Sequence, residues 1–246
     1  MSLTSYLIIV NPVSGKGSAR RRAKVLHDRL AKSATVHVAE TTRRGSAVEI
    51  AASSGSEVDR IIAVGGDGTL NEVMTGLMSL GRPPEQTPAL GFLPSGTANA
   101  AVRAFGFNRD VEEVARALPT VHTRAVDVGV VRIKDEDRPF LLWCGTGFDA
   151  VLIDELNTSR TGRMGVRGLL RRTPRVMRAL ARYPAPLIRT EIDGRRVEDA
   201  VSVIMPNVAE VAFGGTVVDT ADPFDGRLDV VAIDPASRSR LLRLSL

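Results

Sequence analysis

The chain has 246 residues, 43% of them hydrophobic and 4% aromatic, and a formal net charge of +5. This length and hydrophobic content predict a folded protein with a buried core, built as one large domain or two small ones. The low aromatic content argues against a base-stacking nucleic-acid platform, whereas the positive charge keeps nucleotides, anionic lipid surfaces and nucleic acid eligible as partners.

The first half of the chain alternates strand-like and helix-like patterns. Short apolar runs bounded by turn residues predict strands, and apolar residues at helical spacing predict helices. The predicted strands are 6–10, 34–39, 60–64 and 89–93, and the predicted helices are 18–32, 47–53, 70–80 and 110–118. This β/α succession predicts a mainly parallel sheet, in an α/β domain assigned to residues 1–120.

The second half has a different residue pattern, and we assign residues 121–246 to a mostly antiparallel β domain. Its β-branched runs predict strands at 126–133, 140–144, 187–192, 201–205 and 228–233. Asp193 and Gly194 predict a hairpin turn between two of them. The segment 161–181 is helix-rich, and Thr173 as N-cap with Pro174 at the first helical position would divide it into two helices.

One strand-to-helix junction is unusually rich in glycine. Residues 65–72 are Gly-Gly-Asp-Gly-Thr-Leu-Asn-Glu, between the predicted strand 60–64 and the predicted helix 70–80. Glycines permit positive φ and leave backbone N–H groups uncovered, and a helix N-terminus adds about half a positive charge. We expect this backbone to cradle a polyphosphate while Asp67 addresses a metal or a reacting hydroxyl. The alternative for Asp67 is a turn aspartate that hydrogen-bonds its own backbone.

Two further polar loops, 11–17 and 94–99, follow predicted strands. The carboxyl ends of parallel strands form one rim where ligands bind, so we expect all three loops to lie there. The loop at 11–17 is neither a Walker loop nor a dinucleotide fingerprint, because Val10 and Arg20 stand where those motifs need a small residue. Alone, it also fits an ordinary turn capped by Ser18.

Together these loops resemble the diacylglycerol kinase catalytic-domain family, which includes bacterial lipid kinases, ceramide kinases and sphingosine kinases. The resemblance is carried by Asn-Pro-Val-Ser-Gly at 11–15, the glycine-rich block at 65–72 and Gly-Phe-Leu-Pro-Ser-Gly-Thr-Ala-Asn at 91–99. Gly-Phe-Asp at 147–149 and Asp-Pro-Phe-Asp-Gly-Arg-Leu-Asp at 222–229 extend it over essentially the whole chain. It implies a Rossmann-like α/β domain, similar to NAD kinase and phosphofructokinase, followed by a mostly antiparallel β-sandwich domain with a helical excursion.

The resemblance implies ATP and Mg2+ as cofactors. It makes Asp67 the catalytic residue, which orients magnesium beside the γ-phosphate, because phosphoryl transfer is mainly positioning plus charge neutralisation. It implies a second magnesium site at Asp225, completed near Asp222 and Arg227, where an oxygen-rich shell suits a hard cation. The residues implied to bind ATP are Asn11, Ser14, Thr41, Gly65, Gly66, Asp67, Gly68, Thr69, Leu70, Asn71, Glu72 and Thr97.

The sequence departs from the family pattern at two places. Asn99 is followed by Ala100, where relatives of bacterial diacylglycerol kinases usually have aspartate, and this form is more similar to the sphingosine and ceramide kinase branch. Bacterial members also carry a C-terminal Asp-Gly-Glu whose glutamate accepts the lipid hydroxyl proton. None of the Asp-Gly pairs at 67–68, 193–194 and 225–226 is followed by Glu. We therefore expect that the family's C-terminal segment is absent here, or that the base is supplied differently.

These features predict an ATP-dependent lipid kinase acting on the hydroxyl of diacylglycerol or a related long-chain lipid alcohol. The arginines between 163 and 182 are candidates for contact with an anionic membrane, although an amphipathic excursion that covers the β domain would have the same pattern. A NAD kinase-like enzyme and a non-catalytic nucleotide- or membrane-binding module stay open as alternatives. Nucleic-acid binding is supported by charge alone, and we expect none.

The remaining signals concern location and assembly. Cys144 is the only cysteine, so no intramolecular disulfide can form, which fits a reducing compartment. No segment approaches the ~18 apolar residues of a membrane span. We therefore expect a cytoplasmic, peripherally membrane-associated protein whose lipid substrate lies at an anionic membrane surface, and a homodimer stays open.

Overall fold

The structure consists of two compact units, each built from two separate stretches of the chain. The first unit comprises Met1–Leu142 and Val208–Gly226, and the second comprises Trp143–Asn207 and Arg227–Leu246. This computed structural model describes residues 4–54, 57–96, 99–147, 150, 178, 183–184, 186–197, 199–210, 216 and 218–234.

The first unit is built on a four-stranded parallel sheet. Its strands lie in the order β2-β1-β3-β4 and are β1 (Ser5–Val10), β2 (Thr35–Glu40), β3 (Arg60–Gly65) and β4 (Ala89–Pro94). Its helices are α1 (Ser18–Leu30), α2 (Ser46–Ser54), α3 (Asp67–Met78), α4 (Ala100–Ala104) and α5 (Val111–Ala117). Short 3-10 turns occur at Ser14–Gly17 and Pro84–Gln86.

Helices cover both faces of this sheet, and alternate residues of β1 and β3 supply two separate cores. On one face, strand residues pack with α2 and α3 in a cluster that includes Leu7, Ile9, Ala47, Ala51, Ile61, Ala63, Leu70, Val73 and Leu77. On the other face, strand residues pack with α1 and α5 in a cluster that includes Tyr6, Ile8, Val10, Ala23, Leu26, Ile62, Val64, Ala115 and Leu118. Burial on both sides explains why the central strands are continuous apolar runs.

The second half of the chain is antiparallel. In the first unit, β5 (Gly129–Ile133) and β6 (Glu136–Phe140) form a hairpin. In the second unit, β7 (Trp143–Gly147), β10 (Ser202–Pro206) and β11 (Val231–Ile233) form a sheet in the order β11-β10-β7, and β8 (Glu191–Ile192) pairs with β9 (Arg195–Arg196). The predicted turn between β8 and β9 is confirmed, with Asp193 at φ 50° and Gly194 at φ 73°.

The returning segment of the first unit is fastened by backbone and ring contacts. The N–H of Asp127 donates to the carbonyl of Pro223 at 2.8 Å, and the N–H of Gly226 donates to Oδ2 of Asp127 at 2.7 Å. The guanidinium carbon of Arg124 lies 3.6 Å from the centroid of the Phe224 ring, a cation–π distance. The first unit is therefore assembled from two separate stretches of the sequence.

Several predicted boundaries are wrong, each for a local reason. The helix predicted at 70–80 begins at Asp67, because Gly66 is its N-cap and an acidic residue suits a first helical turn. The apolar run 140–144 is divided between β6 and β7 by a bend at 141–142. The strands predicted at 126–133, 187–192 and 228–233 keep regular pairing only over β5, β8 and β11.

The sequence did not predict helix α4. The helices predicted within 161–181, with Thr173 and Pro174, lie outside the described residues apart from Arg178. No described helix is long and apolar enough to cross a membrane.

Candidate functional site

The candidate site lies where the strand order of the parallel sheet reverses. Strands β1 and β3 are neighbours, and the chain continues from β1 to β2 on one side and from β3 to β4 on the other. Ligands of open α/β sheets bind beyond the carboxyl ends of the strands at such a switch point. The loop that follows β1, at 11–17, and the junction of β3 with α3, at Gly66, lie at this place.

Two helices begin at this rim without a side chain to cap them. Helix α1 follows Gly17 and helix α3 follows Gly66, and neither N-cap residue makes a side-chain hydrogen bond. The first N–H groups of a helix have no intrahelical partner and carry partial positive charge. The N-terminus of α3 therefore favours an anion such as a phosphate.

The loop after β1, the β3–α3 junction and the loop after β4 approach one another backbone to backbone. A Cβ atom on Gly96 would lie 2.7 Å from Cα of Gly66, and a Cβ atom on Gly15 would lie 2.4 Å from the carbonyl oxygen of Ser95. The N–H groups of Ser95 and Gly96 both donate to the carbonyl of Gly65, at 2.6 and 3.0 Å. There is no room for side chains at Gly15 and Gly96, so backbone meets backbone at these two positions, as expected for loops that share one rim.

Three residues predicted to bind ATP fasten the same rim through side-chain or backbone hydrogen bonds. Nδ2 of Asn11 donates to Oγ1 of Thr69 at 3.2 Å and so links the loop after β1 to the first turn of α3. The N–H of Ser14 donates to the carbonyl of Asn11 at 3.1 Å. The N–H of Thr41 donates to the carbonyl of Val10 at 2.8 Å, which brings the end of β2 to the end of β1. These residues lie together at the rim.

Asp67, the predicted catalytic residue, lies in the first turn of α3 and binds the start of another helix. Its Oδ2 accepts a hydrogen bond from the N–H of Ala100 at 3.0 Å, and its Oδ1 accepts one from the N–H of Ala101 at 3.2 Å. Helix α4 begins there, after Asn99 in the left-handed conformation. A carboxylate has about four acceptor sites, so these two bonds alone do not prevent it from holding a cation. Asp67 thus has an architectural role beside the predicted chemical one.

Of the other α3 residues predicted to bind ATP, Asn71 and Leu70 contact the protein. Nδ2 of Asn71 donates to the carbonyl of Pro139 at 3.3 Å, and its Oδ1 accepts from the N–H of Leu141 at 3.1 Å. Leu70 is 1% exposed and packs in the core between α3 and the sheet. Gly68 is exposed and Glu72 is half-buried. The contacts of Asn71 and Leu70 indicate that these side chains position α3.

Two buried polar atoms of the rim have no hydrogen-bond partner within the part of the chain that the structure describes. They are Oγ of Ser95 and Oδ1 of Asn99, and these residues are 7% and 2% exposed. Leaving a buried polar group unpaired costs about 1–3 kcal/mol, so such groups at a rim favour a ligand that pairs them. Sequence reasoning missed their role because burial has no signature in a glycine-rich loop. Thr97 lies outside the described residues.

The predicted metal ligands lie in and after the returning segment of the first unit. Oδ1 of Asp222 accepts from the N–H of Phe224 at 3.1 Å, Asp225 is exposed, and Arg227 belongs to the second unit. Over the described ranges, no three His, Cys, Asp or Glu side chains lie close enough together to hold a metal ion. A cation at Asp225 would therefore depend on backbone carbonyls, as the sequence-based interpretation assumed.

Comparison with known proteins identifies the family. The model of the diacylglycerol kinase catalytic domain matches residues 5–131, and the model described as YegS C-terminal NAD kinase beta sandwich-like domain matches residues 143–245. The chain belongs to the diacylglycerol kinase catalytic-domain family. The predicted fold class, an α/β domain with a parallel sheet followed by an antiparallel β-sandwich-like domain, is confirmed.

Individual relatives carry related names. A protein named diacylglycerol kinase from Mycobacterium tuberculosis is 30% identical over 247 residues, which are 96% of this chain and 75% of that protein. A protein named "Probable lipid kinase YegS-like" from Yersinia pestis is 36% identical over 135 residues, 54% of this chain and 43% of that protein. The crystal structure of a diacylglycerol kinase from Bacillus anthracis has a TM-score of 0.72 at 24% identity, covering 99% of this chain and 78% of that one. That structural likeness shows the fold alone.

Proposed function

We propose that this protein is an ATP-dependent lipid kinase that transfers the γ-phosphate to the hydroxyl of diacylglycerol or a related long-chain lipid alcohol. Its family and the names of its relatives support the general reaction. The observation that carries the proposal is the close approach of backbone at Gly15, Gly66 and Gly96 at the switch point, where α3 begins at Asp67 without a side-chain cap.

In this reaction the lipid hydroxyl oxygen forms a bond to the γ-phosphorus. The bond from that phosphorus to the β–γ bridging oxygen breaks, its electron pair leaves with ADP, and one proton is released. Catalysis of such a transfer is mainly positioning and neutralisation of charge. Rim amides and the α3 N-terminus would hold the phosphates, while the hydrogen bond from Asn11 to Thr69 ties the loop after β1 to the first turn of α3.

The described residues fit a magnesium ion that arrives with ATP. Asp67 supplies carboxylate oxygens of the kind a hard cation prefers, and its bonds to Ala100 and Ala101 fix its orientation. The bound ion would neutralise charge on the phosphates. Asp222, Asp225 and the backbone near Arg227 stay proposed as a separate magnesium site.

We also propose that this protein is cytoplasmic and that it reaches its lipid substrate at an anionic membrane surface. Val13, in the rim loop, is 82% exposed, and Lys16 in the same loop is exposed without an ion pair to any other described residue. An apolar tip beside a cation favours a membrane interface that carries negative charge. Support would come from sedimentation with anionic vesicles that weakens in salt and on K16E, and equal binding to neutral vesicles would refute it.

The central experiment measures phosphate transfer from ATP to a panel of lipid alcohols in mixed micelles, with NAD as an alternative acceptor. We expect D67N to lower kcat by about 100-fold or more, as loss of a group that stabilises the transition state does. The matched control is D110N, because Asp110 caps α5 with the same kind of bonds, from the N–H groups of Glu112 and Glu113 at 2.8 and 3.1 Å.

The outcomes separate the candidate functions. Transfer to NAD without transfer to any lipid would overturn the lipid-kinase proposal, and ATP binding without any transfer would favour a non-catalytic module. Equal kcat values for D67N and the unaltered protein would remove Asp67 from the chemistry.

A further inference from the structure

Arg22 of α1 binds both ends of the segment that carries the third rim loop. Its Nη1 donates to the carbonyl of Pro94 at 2.6 Å, and its Nη2 donates to the carbonyl of Arg109. Pro94 ends β4, and Arg109 directly precedes Asp110, the N-cap of α5. Between these two carbonyls the described residues are 95–96 and 99–108.

This segment contains several of the polar groups that form the candidate site. It includes the buried, unpaired Oγ of Ser95 and Oδ1 of Asn99, and it includes α4, whose first amides bind Asp67. From the β3 side, the segment is held by the bonds of Ser95 and Gly96 to Gly65. From the α1 side, it is held at both ends by one guanidinium.

The chemistry of arginine suits this task. The side chain is half-buried, and its burial lowers the pKa of Arg22 while the nearby charge of Asp110 acts in the opposite sense. An arginine nonetheless keeps its charge, and its planar fork can donate to two separate carbonyl oxygens. A lysine ammonium at this position would be a single point of charge on a flexible stem and would not reproduce the fork.

We propose that Arg22 is a positioning residue for the candidate nucleotide site, which it serves by fixing the segment between Pro94 and Arg109. It acts through Ser95, Asn99 and the Asp67-bound start of α4. The assignment of ATP as the ligand rests on the proposed function, whereas the fixing of the segment does not.

Arg29 provides a matched control on the same helix. Its Nε lies 2.7 Å from Oε2 of Glu112, so it also links α1 to α5. This ion pair is exposed at the surface and involves neither carbonyl that Arg22 binds. Replacing Arg29 with glutamine removes a link between the two helices and leaves both ends of the segment held.

The test is hydrogen exchange on the full chain without nucleotide, followed by equilibrium ATP binding. For R22K and R22Q we expect exchange at Gly96, Ala100 and Ala101 to rise about tenfold, the equivalent of about 1.4 kcal/mol, with R29Q unchanged. The Kd and KM for ATP should rise in R22K and R22Q, while the KM for the lipid stays unchanged.

Each result bears on the inference. Unchanged exchange at these amides in both Arg22 variants overturns it. A rise in R22K that spreads equally through β1 and β3 also overturns it, because Arg22 would then be a general stabilising residue. A local rise in a protein that binds no ATP supports the fixing of the segment by Arg22 and refutes the proposed function instead.

Discussion

Replacing Gly76 with alanine is expected to destabilise the first unit, although alanine is the better helix former. Gly76 lies in α3 where this helix crosses α2. A Cβ atom there would lie 2.4 Å from the carbonyl oxygen of Val48 and 2.8 Å from Cβ of Ala51. Backbone cannot swing aside as a flexible side chain does, so the two helices would have to separate.

The expected size follows from two opposing effects. Overpacking a close contact costs about 1–3 kcal/mol, and the helix propensity of alanine over glycine returns about 0.8–1.0 kcal/mol. We therefore expect a net loss of up to about 2 kcal/mol in the free energy of unfolding for G76A. For a protein of this size that corresponds to a fall in Tm of up to about 8 °C.

Gly68 supplies the control, because it belongs to the same helix and an added Cβ would meet nothing within 4 Å. G68A is expected to be neutral or to stabilise by up to about 1 kcal/mol. Urea unfolding followed by circular dichroism, without nucleotide, measures both variants. Equal stabilities for G76A and G68A would refute the idea that close backbone contact between α2 and α3 governs this position.

Two other changes test hydrogen bonds that hold the first unit together. Hydrogen bonds from the N–H and O–H of Ser5 hold the pKa of Asp59 below its ordinary value of 3.8. Because the folded pKa is depressed, this stabilisation is present above the ordinary value and is lost as pH falls through the folded pKa. The stability difference between the unaltered protein and D59N should therefore shrink between about pH 5 and pH 2, and a constant difference would contradict this account. Asn71 donates to Pro139 and accepts from Leu141. N71D replaces the donor by an acceptor, so we expect urea unfolding to show a loss of about 1–3 kcal/mol in the free energy of unfolding. Full stability together with weakened ATP binding would instead make Asn71 a ligand.

Sequence patterns predicted the parallel sheet well because its central strands are buried on both faces. The uninterrupted apolar runs of β1 and β3, each followed by a polar or glycine-rich loop, mark both the strand and its carboxyl end. The rim could be predicted for the same reason. Helix α4 could not, since five residues are too few to show helical periodicity.

Long-range contacts account for what the sequence did not show at the site. Arg22 stands in a run of basic residues that resembles a solvated helix face, and only the fold brings the carbonyls of Pro94 and Arg109 to it. Asp67 was predicted as a chemical group, but its bonds to Ala100 and Ala101 join positions more than 30 residues apart. No local spacing rule connects such partners.

The discontinuity of the first unit has a practical consequence for how this protein is dissected. A fragment that ends at Ile133 or Leu142 would look like a self-contained domain by sequence matching. It would nevertheless lack Pro223 and Gly226, the partners of Asp127, and would leave Arg124 without the ring it stacks on. Expression of the sheet-bearing half alone should therefore give a protein with a lower free energy of unfolding. Joining residues 208–226 to that fragment through a linker should restore its stability.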